Sequence, residues 1–79
     1  MPIESRDILS IWTLYDHPRD HPQHFIARRH EIAEGGSKPT NDILVSASLD
    51  RLRTQMQQRG LFKLPREDGD DPVIVESWI

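Results

Sequence analysis

No cysteine occurs among the 79 residues, which excludes disulfides and thiolate metal sites and leaves the fold to be held by packing alone. Long apolar runs are missing as well. No uninterrupted stretch exceeds three residues, as in Ile43, Leu44 and Val45 or Val73, Ile74 and Val75, whereas a bilayer span needs about 20. The N-terminal Met1, Pro2, Ile3, Glu4, Ser5, Arg6 and Asp7 lack both the basic start and the apolar core of a secretory signal. With no thiols and no such signal, the cytoplasm is the expected compartment. A strong charge of one sign is absent too: the formal net charge is −3 with neutral histidines, which makes nucleic acid an unfavoured partner.

Motifs of catalysis are equally scarce. There is no G-x-S-x-G elbow and no thiol nucleophile, so no enzyme class is indicated. Gly35, Gly36, Ser37 and Lys38 have the composition of a phosphate loop. Their order puts the hydroxyl before the lysine, the reverse of the Walker pattern. The acidic run Glu67, Asp68, Gly69, Asp70 and Asp71 lacks the twelve-residue ligand spacing and terminal glutamate of a calcium loop. No cofactor is expected.

What the chain does carry is alternation and one amphipathic stripe. Residues 8–15 place Ile11, Thr13 and Tyr15 on one side and Trp12 and Leu14 on the other, with aromatic and β-branched residues that favour a strand. Residues 16–24 hold two prolines and read as a loop. A second, antiparallel strand is expected over 25–32, with Ile26 and Ile32 turned toward the core. Gly35, Gly36, Ser37 and Pro39 make 33–41 a flexible connection. A third strand follows over 42–47.

Ser48 then stands as N-cap, Asp50 suits the helix dipole, and Leu49, Leu52 and Met56 recur at i, i+3 and i+7. That pattern predicts a helix over 49–58, closed by Arg59 and a left-handed Gly60. Leu61, Phe62 and Leu64 are expected to return to the core, and 73–79 forms the last strand. The chain is therefore expected to be one α+β domain over 1–79, in the order β-β-β-α-β, with the helix on one face of an antiparallel sheet.

A sheet covered on one side leaves its other side wet. If Trp12 and Trp78 lie there, they form an apolar patch that a homodimer or a protein partner would cover. Tyr15, Arg28 and Arg29 are the other candidate interaction residues, because aromatic and arginine side chains dominate binding hot spots. An alternative use of the chain is nucleic-acid regulation through Arg28, Arg29 and His30 with Arg51, Arg53, Arg59, Lys63 and Arg66.

A second alternative is a metal-binding loop. Asp16, His17, Pro18 and Arg19 are followed by Asp20, His21, Pro22 and Gln23, with His24 next, which concentrates imidazoles suited to zinc or nickel. The prolines disfavour helix for the residues before them. A site at His17, His21 and His24 would thus have to be assembled by the loop, and a solvated turn is the simpler reading.

Two segments together carry a resemblance. They are Trp12, Thr13, Leu14, Tyr15, Asp16, His17 and Pro18 with Phe25 to Arg29, and Pro65 and Arg66 with Asp71 to Trp78. These resemble a group of short uncharacterised bacterial proteins, which implies a stand-alone protein and brings no activity with it. The β-β-β-α order is more loosely similar to the HicB-type antitoxin domain, a binding fold that neutralises a small ribonuclease. The glycine-containing motif between its strands and the DNA-binding tail have no counterpart here. Together these features point to a small non-enzymatic protein-interaction domain.

Overall fold

The computed structural model describes residues 9–79; Ile8, the expected first residue of the first strand, and the segment before it lie outside the described residues. The element order is β1 (Leu9–Asp16), β2 (Phe25–Ala33), β3 (Gly36–Ser46), α1 (Leu49–Gln58), β4 (Lys63–Pro65) and β5 (Ile74–Trp78). The strands form one antiparallel five-stranded sheet in the order β3-β2-β1-β5-β4. The α+β class and the single helix agree with the sequence reading, and the short β4 is an added edge strand.

The helix forms where its signals place it. Ser48 is extended, and its hydroxyl accepts from the Arg51 amide at 3.3 Å, satisfying one of the first-turn donors. Leu52 and Met56 are fully buried and Leu49 packs at the margin. Gly60 adopts φ +77° just past the last turn, the left-handed conformation that frees the chain to reverse. Leu61 then packs on the core. Phe62 and Leu64, expected to follow it, are instead exposed, Phe62 to 76%. Leu64 is held at the sheet edge by the pairing of β4 with β5, and Phe62, just before β4, by backbone bonds to Ile79 at 2.8 and 2.9 Å.

Registers fix the two faces. Leu14 stands opposite Ala27 on β2 and Glu76 on β5, and Trp12 opposite Trp78. These side chains, with Leu52 and Met56, make the buried core beneath α1. Trp12 and Trp78 are therefore core residues, not an exposed interaction patch, and the Arg59 guanidinium lies 4.9 Å from the Trp12 ring. Ile26 is buried as expected, at 2% exposure, but not beneath the helix, and Ile32 is only half-buried. They alternate with Phe25, Ala27 and Glu31 and so stand on the face away from the helix. Along β5 the register shifts between Leu14 and Tyr15. Val75 becomes the extra residue of a bulge and packs against the core beside Glu76.

The expected flexible connection over 33–41 is mostly strand. Ala33 pairs with Gly36 across a tight turn, with Gly35 at φ +102° and Gly36 at φ +124°, values only glycine reaches without strain. β3 then runs to Ser46 along β2. Pro39 is tolerated because β3 is an edge. The ladder is interrupted opposite Arg29, where the pairing steps from Pro39 to Ile43. The Thr40 hydroxyl bridges the gap by donating to the Arg29 carbonyl at 2.9 Å and accepting from the Asp42 amide at 3.1 Å.

Candidate functional site

Side chains on the face away from α1 come from all five strands, β5 contributing Ile74 and Ser77 beside Tyr15 and Thr13. Leu9, Ile11, Thr13 and Tyr15 of β1 stand beside Ile26, Arg28, His30 and Ile32 of β2, with Val45 of β3 and Leu64 of β4 at the flanks. Leu9, Val45 and Leu64 are each 41% exposed or more. The face thus mixes aliphatic side chains with the hydroxyls of Thr13 and Ser77 and one larger polar group of residues.

That polar group is built at the end of β1 next to the 17–24 loop. The loop is a chain of turns: the His21 amide donates to the Pro18 carbonyl at 2.9 Å, and the His24 amide to the His21 carbonyl at 3.2 Å. The His17 amide closes the loop onto the His24 carbonyl at 3.0 Å, with His17 at φ +50°. This folding brings Pro18 and Asp20 to the rim of a hollow of about 350 Å³, bordered also by Tyr15, Ile26, Arg28, His30 and Pro39. Ile26 forms its floor and is 2% exposed.

Within the hollow, Tyr15 and His30 are hydrogen-bonded, with Oη 3.2 Å from Nε2. Burial, reinforced by the charge of Arg28, holds His30 below its ordinary 6.5. The imidazole is then mostly uncharged at pH 7, and it shares one hydrogen bond with the tyrosine hydroxyl. Burial also lifts the Tyr15 phenol above its ordinary 10.0, against the opposing effect of Arg28. Arg28 itself is 29% exposed, with Asp20 at 3.9 Å.

Arg29, its sequence neighbour, projects to the opposite face. Its guanidinium meets Asp42 at 2.6 Å, Ser10 at 3.2 Å and Glu31 at 3.3 Å. Of the five candidate interaction residues, the structure therefore brings only Tyr15 and Arg28 together on the open face. Trp12 and Trp78 are in the core, and Arg29 is tied into an ion-pair cluster. The basic residues of the nucleic-acid alternative are likewise divided: Arg28 and Arg29 face opposite ways, and Arg53 is held by Glu76.

The histidines of the loop do not converge. His17 bonds to Asp16 through Nδ1 and sets its ring edge-on to Phe25, centroids 4.8 Å apart. Among the described residues, no three histidine or carboxylate side chains come together as metal ligands.

One polar constellation escaped the sequence reading. Glu76 is 4% exposed on the helix-covered face. Its carboxylate accepts from Arg53 at 2.8 and 3.0 Å and from the Trp78 indole N–H at 2.8 Å. Burial pushes this carboxyl up, but the bonds from Arg53 and Trp78 and the Arg53 charge outweigh it and hold the group below its ordinary 4.5. Two signals could have revealed it. Glu76 alternates with Trp78 on one side of β5, and Arg53 sits at i+4 from Leu49, on the margin of the apolar stripe. Glu76 is closed to solvent and its bonds are made, with only Arg53 partly exposed, so the group's role is to fasten α1 to β5.

Among the described residues, no helix is long and apolar enough to cross a membrane. Comparison with known proteins finds no matching family model, no matching curated protein and no matching solved structure.

Proposed function

We propose that this chain is a small non-enzymatic protein-interaction domain that associates with a second copy of itself through the uncovered face of its sheet. The observation that carries this reading is the one-sided cover: α1 lies over Trp12, Leu14, Ala27 and Trp78, while Leu9, Ile11, Ile32, Val45 and Leu64 line the other face with no layer above them among the described residues. In a small chain without disulfides, burying those side chains adds stabilisation the single core cannot supply.

Area and charge both suit a second copy. Strands of 8, 9 and 11 residues and the shorter β5, at about 3.3 Å per residue and about 4.8 Å between strands, give a flat area near 500 Å². Side-chain relief raises the accessible area toward the roughly 600 Å² per partner at the low end of specific interfaces. The face carries charge of both signs, Arg28 beside Asp20, so two identical faces can pair without net repulsion.

Light scattering coupled to size exclusion tests the reading. The weight-average mass is expected to rise from one copy toward two between about 10 and about 500 µM, the range natural to an interface of this size. Leu9→Glu combined with Val45→Glu, at positions about half exposed in a single copy, is expected to hold the chain at one copy. A parent chain that stays monomeric throughout that range refutes self-association.

A further inference from the structure

Arg53 and Arg29 both spend their donors on close carboxylates, at 2.8 and 2.6 Å. Arg28 does not. Among the described residues its nearest carboxylate is Asp20 at 3.9 Å, well beyond the 2.7–2.9 Å of a charge-assisted hydrogen bond. Its guanidinium nevertheless sits in partly dry surroundings, 29% exposed, at the rim of the hollow floored by Ile26 and walled by Pro18, Pro39 and Tyr15. We propose that this hollow binds a carboxylate carried on a short apolar body, with the Arg28 guanidinium as its anchor.

The fit has three parts. A planar guanidinium presents paired donors that match the two oxygens of a carboxylate, which a point-like ammonium cannot do. The volume of about 350 Å³ falls at the small end of ligand sites and admits a branched chain of a few carbons against Ile26 and the prolines. The polar groups around Arg28 are arranged for an anion: His30 is mostly uncharged and occupied by Tyr15, so Arg28 supplies the positive charge of the hollow. Asp20, 65% exposed on its loop, is a loosely held internal carboxylate that an incoming one displaces.

The carboxylate could belong to a free small acid or to the end of another protein chain, and the experiment separates the two. Isovalerate, its neutral isostere isovaleramide, and acetyl-Gly-Gly-Leu with a free carboxylate are titrated into nitrogen-labelled protein, following the Arg28 Nε–H and the His30 ring by NMR. Isovalerate is expected to shift both signals saturably, with isovaleramide at least about tenfold weaker, the scale of a lost charge-assisted contact. Arg28→Gln should weaken binding by at least about tenfold. Asp20→Asn, an exposed loop substitution that leaves the fold intact, should tighten it by about threefold by removing the competitor.

Saturation by the peptide alone assigns the carboxylate to a chain end, and saturation by both shows that a small acid suffices. The proposal is overturned if neither acid shifts the two signals below about 50 mM, if the amide binds as well as the acid, or if Arg28→Gln leaves the affinity unchanged. The site shares a face with the self-association surface but rests on its own geometry. Because a second copy would cover the hollow, the titration is repeated on Leu9→Glu, which keeps the chain at one copy: failure there as well removes the carboxylate site alone, and a saturable titration of a strictly monomeric parent removes self-association alone.

Discussion

Replacing Arg53 by methionine should destabilise this protein far more than replacing Glu76 by glutamine, although both changes break the same ion pair. The asymmetry comes from exposure. The Arg53 side chain is 35% exposed and that of Glu76 is 5% exposed. In Glu76→Gln the guanidinium remains partly hydrated, and the glutamine oxygen can still accept from the Trp78 indole, so the loss is about 1–2 kcal/mol. In Arg53→Met the carboxylate stays buried with only the indole N–H to stabilise it, and stranding a buried charge costs about 3–5 kcal/mol.

Urea unfolding followed by the fluorescence of the two buried tryptophans reads the difference directly. With a slope of about 1 kcal/mol per molar, the midpoint at pH 7 falls by about 1–2 M for Glu76→Gln and by about 3 M or more for Arg53→Met. The latter approaches the whole stability of a domain this small. A pH series adds a check on sign. In the parent, Glu76 is held below 4.5, so its contribution is full above 4.5 and is lost as pH falls through the folded value. Without Arg53, burial dominates and lifts the carboxyl, so protonation relieves the strain and the gap to the parent narrows as pH falls from 7 toward 4. The reasoning is refuted if Glu76→Gln is as damaging as Arg53→Met, or if the gap widens on acidification.

Two further outcomes are expected. Ser48→Ala removes the hydroxyl that accepts from the Arg51 amide at 3.3 Å and should cost about 1 kcal/mol, lowering the thermal midpoint by about 4–8 °C, with Ser48→Asp restoring it. His30 has its folded value depressed below 6.5, so the unfolded chain takes up a proton first. Its contribution is present above 6.5 and is lost as pH falls from there through the folded value. His30→Gln should therefore flatten the decline in urea midpoint between about pH 7 and pH 5, and an unchanged decline would show that other groups cause it.

Helix α1 was legible to the residue, because Ser48, the stripe of Leu49, Leu52 and Met56, and Gly60 are local signals that agree with one another. The alternation of β1 was legible too, but which side faces the helix was not. Ile11 and Tyr15 are as apolar as Trp12 and Leu14, so period alone separates the two sets without ranking them. That ambiguity is why Trp12 and Trp78 read as surface residues, and why Ile26, buried as expected, packs on the side away from the helix with the half-buried Ile32. β3 was hidden by Gly35, Gly36 and Pro39, which signal a turn; the turn is real but tight, and an edge strand tolerates the proline. At the candidate site, Tyr15 and Arg28 were named from residue type. His30 as the partner of Tyr15 was not, because the two are neighbours only through strand register and are 15 positions apart in sequence.

The position of β5 has an entropic corollary. β1, β2 and β3 are joined by short connections and can pair as successive hairpins, but β5 must insert between β1 and β4, setting Trp78 against Trp12 across most of the chain. Closing so large a loop forfeits conformational freedom before the new contacts compensate. Among the strand pairings, β1 with β5 spans the largest sequence separation, so its closure, and with it the burial of Glu76, carries the largest chain-entropy cost in assembling the sheet.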